Sequence, residues 1–258
     1  LDAELGWSNE TFGWVNGAFQ LSYAVGLLLF GWFVDRFGTK IGYATSIVLW
    51  SIAAMSHALV GSVNGFFAAR VFLGVSEGGN FPAAIKAVAL WFPKKERAFA
   101  TAIFNAGTNV GAIIAPAMIP VIALTFGWRW AFILAGLAGF VWLFFWFPMY
   151  DVPEKRKNLT KVEFELIHSD KEEGGIGGRP MGWTRALKLP QTWSFLTSKF
   201  LTDPVWWFFL IWLPDYFKAT RGLSIKHSWV HLVTIYTIVT VLSIFGGWVT
   251  GYLTSRGW

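Results

Sequence analysis

Apolar residues dominate seven long stretches of the chain, and short polar connections separate most of them. The stretches cover roughly residues 12–34, 41–61, 65–92, 98–125, 128–149, 192–217 and 228–253. About 20 consecutive apolar residues in a helix are enough to span the hydrocarbon core of a bilayer. The pattern therefore predicts an all-α, polytopic membrane protein to which this chain contributes seven transmembrane helices.

The composition agrees with this interpretation. The sequence is 55% hydrophobic and only 14% charged, with 17 Trp and a mean hydropathy of +0.49, which excludes an ordinary soluble domain. No cysteine is present, so disulfides and thiolate metal sites are excluded. The sequence also has no phosphate-binding loop or nucleophile–base motif. We therefore expect no enzyme activity, no cofactor and no metal.

The positive charges are distributed unevenly between the two sides of the predicted helices. Of the 21 Lys and Arg, fourteen fall in one set of alternate connections and four in the other. Because cytoplasmic connections of membrane proteins are enriched in Lys and Arg, the first set should be cytoplasmic. This bias explains the net charge of +6 better than nucleic-acid binding, which we do not expect.

One long charged connection, residues 150–191, divides the chain into two parts. We expect an N-terminal half at 1–149 and the start of a C-terminal half at 192–258. Within the connection, Thr160 and Glu163 have the spacing of a capping box at the start of a short helix. The glycine-rich residues that follow are typical of a flexible tether without chemistry of its own.

Two opposite charges lie inside the third apolar stretch. Arg70, Gly74, Glu77 and Phe81 share one face at helical spacing. Ionisable residues at membrane depth are costly and usually serve a function. Either Glu77 exchanges a proton under the influence of Arg70, or the two residues form a static ion pair that fixes the packing.

A second pair of charges, Lys199 and Asp203, lies four residues apart in the sixth stretch. Either Lys199 anchors a substrate carboxylate, or Asp203 simply neutralises it. Pro204 removes a backbone hydrogen bond and should open this helix. Lys86 lies nearer the cytoplasmic end of its stretch, so its amine should extend to the interface.

Polar stripes mark two further stretches. Asn16, Gln20 and Tyr23 follow one another at helical spacing in the first, and Asn105, Thr108 and Asn109 do so in the fourth. Such stripes either line a site for a polyhydroxylated ligand or join helices through hydrogen bonds.

The segment GWFVDRFGTK, residues 31–40, resembles the G-x-x-x-D-R-x-G-x-[RK] loop between the second and third helices of the major facilitator superfamily. A weaker copy that begins with Gly247 and ends with Arg256 lies six helices later, as expected for two six-helix halves. The resemblance implies that Gly31, Asp35, Arg36, Gly38 and Lys40 form a cytoplasmic gate motif. It also implies helices 2 to 8 of twelve, with one helix before Leu1 and four after Trp258.

Further motifs narrow the resemblance to the anion:cation symporter branch, and most of all to bacterial hexuronate transporters. They include Arg70 with Gly74, the EGGNFP segment that starts at Glu77, and the KFLTDPVWW segment that starts at Lys199. In that branch the glutamate is linked to proton coupling, as is the fourth-helix arginine of the superfamily. Tyr23 and Thr108 occupy positions that bind sugar acid there, although galactonate carriers have a long amide in place of Thr108.

From these residues and this resemblance we expect a proton-coupled symporter that imports a small organic anion, a hexuronate or related sugar acid, by alternating access. Glu77 and Arg70 would couple the proton, and the predicted substrate ligands are Tyr23, Asn105, Thr108, Lys199 and Asp203. We expect a monomer in the bacterial inner membrane whose partners are the anion, the proton and the lipid bilayer. The alternatives are an organic-anion exchanger without proton coupling and a non-transporting sensor of the same anion.

Overall fold

A computed structural model describes residues 6–169, 182–221 and 225–256 of the protein. Helices account for nearly all of this part of the chain, and no strand occurs in it, which confirms the predicted all-α fold. We number the helices in chain order: α1 Asn9–Phe37, α2 Thr39–Ser56, α3 Val63–Glu77, α4 Asn80–Trp91, α5 Lys94–Phe126, α6 Trp128–Met149, α7 Lys161–His168, α8 Trp183–Ala186, α9 Pro190–Arg221 and α10 Ile225–Ser255.

Five of the seven predicted spans are helices long and apolar enough to cross a membrane. They are α1, α2, α5, α6 and the part of α10 from Val230 to Leu253. The sixth predicted span is α9, a continuous helix of 32 residues. The expectation that Pro204 opens this helix is wrong, because α9 runs through it. Pro204 has no backbone N–H to donate, but the hydrogen bonds of the neighbouring turns keep the helix continuous.

The third predicted span is divided, which corrects the assumption of one continuous helix. It forms α3, which ends at Glu77, and α4, which begins at Asn80. Gly78 and Gly79 separate them but keep right-handed helical dihedral angles, so the interruption is local. Two consecutive glycines are weak helix formers. Arg70, Gly74 and Glu77 therefore share α3, whereas Phe81 belongs to the next helix.

Glycines bring α1 and α3 into backbone contact. A Cβ atom added at Gly78 would lie 2.5 Å from the carbonyl carbon of Gly26, and one added at Gly26 would lie 2.9 Å from the Cα of Val75. One added at Gly74 would meet Ser22 and the carbonyl oxygen of Phe19. Small residues permit such close approach between membrane helices, where van der Waals packing drives association. The contact fixes the part of α3 that carries the intramembrane charges.

Small residues also join the other helices. A Cβ at Gly136 of α6 would lie 2.6 Å from the carbonyl oxygen of Ser51 in α2, and a Cβ at Gly247 of α10 would meet the Cβ of Ala102 in α5. The last contact links a helix of the predicted N-terminal half to one of the C-terminal half. Helices on both sides of the long connection thus pack against each other.

The predicted capping box is confirmed at the start of α7. The Thr160 hydroxyl accepts from the backbone N–H of Glu163 at 3.3 Å, and the Glu163 carboxylate accepts from the backbone N–H of Thr160 at 2.9 Å. Ile167 anchors the helix, with 7% of its surface exposed. The glycine-rich tether predicted after α7 falls largely on residues 170–181, outside the described residues.

Candidate functional site

Arg70 lies on α3 between aromatic rings contributed by two helices. Its guanidinium carbon is 5.6 Å from the ring centroid of Phe66 on α3 and 6.0 Å from that of Phe19 on α1. Such cation–π contacts stabilise a charge without neutralising it. The Arg70 Nε is buried and has no hydrogen-bond partner. Among the described residues, no carboxylate lies within ion-pair distance of this guanidinium.

Glu77 ends α3, two turns beyond Arg70. Within the part of the chain that the structure describes, its carboxylate has neither a hydrogen bond nor an ion pair within 4.0 Å. Its charge and that of Arg70 still act on each other through space. The static ion pair that the sequence left open is therefore not formed in this structure, whereas proton coupling at Glu77 stays a prediction.

Tyr23 of α1 connects these charges to α9. Its ring stacks on Phe19 with centroids 6.0 Å apart and meets the edge of Trp207 at 6.4 Å. This ring contact brings Tyr23 of α1 against α9, one turn beyond Asp203.

Lys199 and Asp203 form an ion pair along α9. The Lys199 Nζ lies 2.7 Å from Asp203 Oδ1, and their side chains are 45% and 44% exposed. Of the two alternatives left open by the sequence, this structure contains the one in which Asp203 neutralises Lys199. A role of Lys199 as a substrate anchor would require this pair to separate.

Asn105 and Lys199 line one cavity of about 750 Å³, which we call the cytoplasmic cavity. Thr108 of the same polar stripe is exposed, and its hydroxyl donates to the Asn105 carbonyl at 2.7 Å. The stripe on α1 faces a second cavity of about 250 Å³ against α9, lined by Asn16, Gln20 and Trp207 among others. Asn105 alone of its stripe lines the first cavity, and Asn16 and Gln20, but not Tyr23, line the second. A ligand-binding role of the two stripes stays a prediction.

The predicted gate motif lies at the junction of α1 and α2. Gly38 has φ +84° and ψ 161°, a conformation essentially restricted to glycine, so it turns the chain from one helix into the next. Asp35 accepts from Lys86 Nζ at 2.7 Å, and the same amine donates to the Val34 carbonyl at 3.1 Å. Lys86 therefore joins α4 to α1. The expectation that its amine extends to the interface is wrong.

The remaining motif residues have different surroundings. Lys40 donates to Asp151 at 3.0 Å and ties the α1–α2 turn to the residues after α6. Arg36 is exposed. Gly31 lines the cytoplasmic cavity together with Asp35 and Lys86. The cavity thus extends from the gate motif to Asn105 and Lys199.

Several residues of the site were not singled out from the sequence. Phe19 and Phe66 contact Arg70, yet their spacing is that of ordinary apolar residues in a membrane helix. Trp207 lies in the KFLTDPVWW segment, but its contact with Tyr23 was not predicted. Asp151 carries no motif either. Lys86 stood out in the sequence only because a lysine is costly inside a membrane. That signal did not identify Asp35 as its partner.

The fold and these residues define a polytopic membrane protein in which a cavity extends from Asn105 and Lys199 to the turn between α1 and α2. The chain belongs to the major facilitator superfamily, whose family model matches residues 1–258. Members of this class are transport proteins and not enzymes. The bacterial relatives and the apolar helices together indicate a multi-pass protein of the bacterial inner membrane.

Three relatives show what the chain is similar to. It is 33% identical to a hexuronate transporter of Escherichia coli K12 over 88% of this chain and 53% of the relative. It is 31% identical to a galacturonate transporter of Dickeya chrysanthemi over 88% and 66%, respectively. It is 26% identical to a D-galactonate transporter of Escherichia coli O6:H1 over 100% and 62%. The chain therefore spans between about half and two thirds of the length of these relatives.

Proposed function

We propose that the protein imports a hexuronate or a related sugar acid together with a proton, by alternating access. The observation that carries this proposal is that Arg70 forms no ion pair within 4.0 Å among the described residues. The substrates of the relatives support the substrate class, because hexuronate, galacturonate and galactonate are all carboxylates bearing several hydroxyl groups.

Anion recognition follows from a comparison of three cations at membrane depth. Lys86 is paired with Asp35 and Lys199 with Asp203. Arg70 contacts aromatic rings, and no carboxylate among the described residues lies within 4.0 Å of it. A planar guanidinium binds a carboxylate through two parallel hydrogen bonds. Arg70 is therefore the group that would receive the carboxylate of the substrate. Tyr23, whose ring stacks on the same Phe19 that Arg70 contacts, would be available to the hydroxyl groups of the substrate.

Proton coupling follows from the position of Glu77. An ionised carboxylate without a hydrogen-bond donor is costly at membrane depth, and its charge also attracts Arg70. Protonation of Glu77 removes that attraction and leaves the full charge of Arg70 for the substrate. Loss of the proton restores it and favours release. In this scheme, substrate and proton bind with positive coupling.

Alternating access would require the parts of the chain before and after the long connection to rock about the central site. The cytoplasmic cavity supports an inner pathway, because it reaches from Asn105 and Lys199 to the Asp35–Lys86 pair. Closure on the cytoplasmic side would reduce this cavity. The predicted halves, residues 1–149 and 192–258, are part of this proposal.

The test is uptake of labelled glucuronate by vesicles that contain the full-length protein, including any sequence that flanks residues 1–258. Under an imposed proton gradient, the parent protein should concentrate the substrate. Glu77→Gln should lose this accumulation but keep counterflow exchange at equal pH on both sides. Glu10→Gln is the matched control, because Glu10 is exposed in the first turn of α1, and it should behave as the parent does.

Accumulation by Glu77→Gln driven by a proton gradient alone would contradict the coupling scheme. Counterflow by the parent without any proton-driven accumulation would instead indicate an anion exchanger. Binding without uptake would indicate a sensor. A competition panel of glucuronate, galacturonate, galactonate and glucose tests the substrate class, and a preference for glucose would contradict anion recognition by Arg70.

A further inference from the structure

A cleft with aromatic walls lies at the cytoplasmic ends of α2, α4, α5 and α6, under the short helix α7. We call it the aromatic cleft. Its volume is about 620 Å³, within the range of sites that hold small ligands. It is lined by Tyr43, Ala83, Ala84, Ala87, Val88, Trp91, Phe92, Phe104, Trp142, Trp146, Met149, Tyr150, Leu159, Glu163, Leu166 and Ile167. None of these residues belongs to the proposed transport site.

The depth of the cleft matches one leaflet of a bilayer. Helix α5 begins at Lys94 on the cytoplasmic side, and Phe104 of the lining lies ten residues further along this helix. At 1.5 Å per residue, this is about 15 Å, half of a hydrocarbon core about 30 Å thick. A hydrocarbon chain of the cytoplasmic leaflet would therefore fit into the cleft along its length.

The interior of the cleft suits hydrocarbon. Among the described residues that line it, only Glu163 carries a charge, and its carboxylate is held by Thr160 in the capping box. The indole N–H groups of Trp91 and Trp146 donate to the carbonyls of Asp151 and Lys40, each at 3.1 Å. These rings thus present carbon surfaces to the cleft, because their polar atoms are already bonded.

Two arginines lie at the cytoplasmic rim. Arg97 donates to the carbonyl of Phe92, a residue of the lining, and to that of Ala89, both at 3.1 Å. Arg156 donates to the carbonyl of Pro148, next to Met149 of the lining, at 3.2 Å. Within the described part of the chain, neither guanidinium has a carboxylate within 4.0 Å. The nearby acids Asp151 and Glu154 are paired with Lys40 and His168 instead.

We propose that the aromatic cleft binds one acyl chain of an anionic phospholipid from the cytoplasmic leaflet, with the phosphate of the headgroup against Arg97 and Arg156. Three features select this occupant. The cleft is one leaflet deep, its walls are mostly apolar, and its rim carries two arginines with no carboxylate within 4.0 Å among the described residues. Clusters of basic residues on the cytoplasmic side attract anionic headgroups in this way.

Native mass spectrometry of the full-length protein provides the test. The probes are dioleoyl phosphatidylglycerol, dioleoyl phosphatidylcholine with the same acyl chains, and glycerol 3-phosphate, which has the phosphate but no chain. We expect one phosphatidylglycerol to be retained in preference to phosphatidylcholine, and no retention of glycerol 3-phosphate. Equal retention of both lipids, or binding of glycerol 3-phosphate alone, would overturn the proposal.

Variants separate this site from the general lipid shell. The double variant Arg97→Gln with Arg156→Gln should weaken phosphatidylglycerol binding roughly thirtyfold, as the loss of two interfacial charges implies. Lys157→Gln removes an exposed cation of the same connection and should have little effect. Comparable losses in the two proteins would show that only total charge matters and would refute the site.

A substitution inside the cleft tests the acyl chain. Ala87→Phe places a ring where the chain would lie, and Ala138→Phe is the control at an exposed position of α6 outside the cleft. We expect only Ala87→Phe to lose the retained lipid. Retention of the lipid by a folded Ala87→Phe variant would refute the proposal. If that variant does not fold, the arginine variants still decide it, since they leave the interior unchanged.

Discussion

Gly74→Ala should separate α1 from α3 and thereby disturb the site from a distance. The added Cβ would meet the Ser22 hydroxyl, the carbonyl oxygen of Phe19 at 2.5 Å and the backbone nitrogen of Tyr23 at 3.0 Å. A side chain can rotate away, but the two backbone atoms cannot. The helices must therefore move apart, and Tyr23 moves with the contact.

The magnitude follows from two opposing effects. Alanine is favoured over glycine in a helix by about 1 kcal/mol, whereas overpacking of a tight contact costs about 1–3 kcal/mol and occasionally more. Because backbone atoms lie on one side of this contact, we expect the upper part of that range and a net loss of about 1–2 kcal/mol. Gly17→Ala is the matched control, since its Cβ would have no atom within 4 Å, and it should be neutral or stabilising.

Thermal unfolding of the purified full-length protein measures the difference. A loss of about 1–2 kcal/mol corresponds to a fall in Tm of roughly 2–8 °C for a chain of this size. Uptake should fall as well, because Tyr23 is displaced. A double-mutant cycle with Ser22→Ala identifies the cause: removal of the hydroxyl relieves one contact but neither backbone contact, so stability should recover only in part. Full recovery, or a Gly74→Ala protein as stable as Gly17→Ala, would refute the reasoning.

Three further predictions concern the cytoplasmic side. Gly38→Ala should destabilise the protein by about 1–3 kcal/mol, since only glycine adopts φ +84° with ψ 161° without strain. Gly31→Ala is the control and should not destabilise the protein, because its Cβ would meet no atom within 4 Å. Thermal unfolding of the two variants measures the difference. The Lys40 ammonium, helped by a backbone N–H, lowers the pKa of Asp151 below its ordinary 3.8. The pair therefore contributes stability above about pH 4, and this is lost as the pH falls through the lowered pKa. The Tm difference between the parent and Lys40→Gln should accordingly shrink in acid, and a constant difference would contradict the pairing. Thr160→Ala should loosen α7 by about 1 kcal/mol, seen as roughly fivefold faster amide exchange at residues 161–168, and unchanged exchange would contradict the capping role.

Much of this fold is predictable from the sequence because the bilayer imposes strong constraints on it. Long apolar stretches predicted the helices, and Thr160 with Glu163 predicted the start of α7. These signals are local in sequence. The break between α3 and α4 also depends on local sequence. Two glycines in an apolar stretch indicate either close helix packing or an interruption of the helix. Here they interrupt the helix and also permit close packing against its neighbours.

The partners of the charges were harder to predict. Lys86 and Asp35 are 51 residues apart and Lys40 and Asp151 are 111 apart, so nothing local identifies these pairs. Lys199 and Asp203 are neighbours on one helix face, and their pair was among the alternatives. Arg70 and Glu77, two turns apart, are not in direct contact. Helical spacing places side chains on one face, but it does not determine which partner each one reaches.

The distribution of paired and unpaired charge explains why the proposed site lies where it does. Asp35, Asp151 and Asp203 each neutralise one lysine, so Lys86, Lys40 and Lys199 exert little net attraction on an anion. Arg70 keeps its charge between aromatic rings and has a buried Nε; away from water, a positive charge acts over a longer distance than at the surface. An anion in the cytoplasmic cavity would therefore be drawn past the gate pair and Lys199 towards Arg70. Attraction by Arg70 predicts that substrate binding survives the double variant Lys199→Gln with Asp203→Asn and is lost in Arg70→Gln. If instead the ion pairs opened to receive the substrate, the double variant would abolish binding.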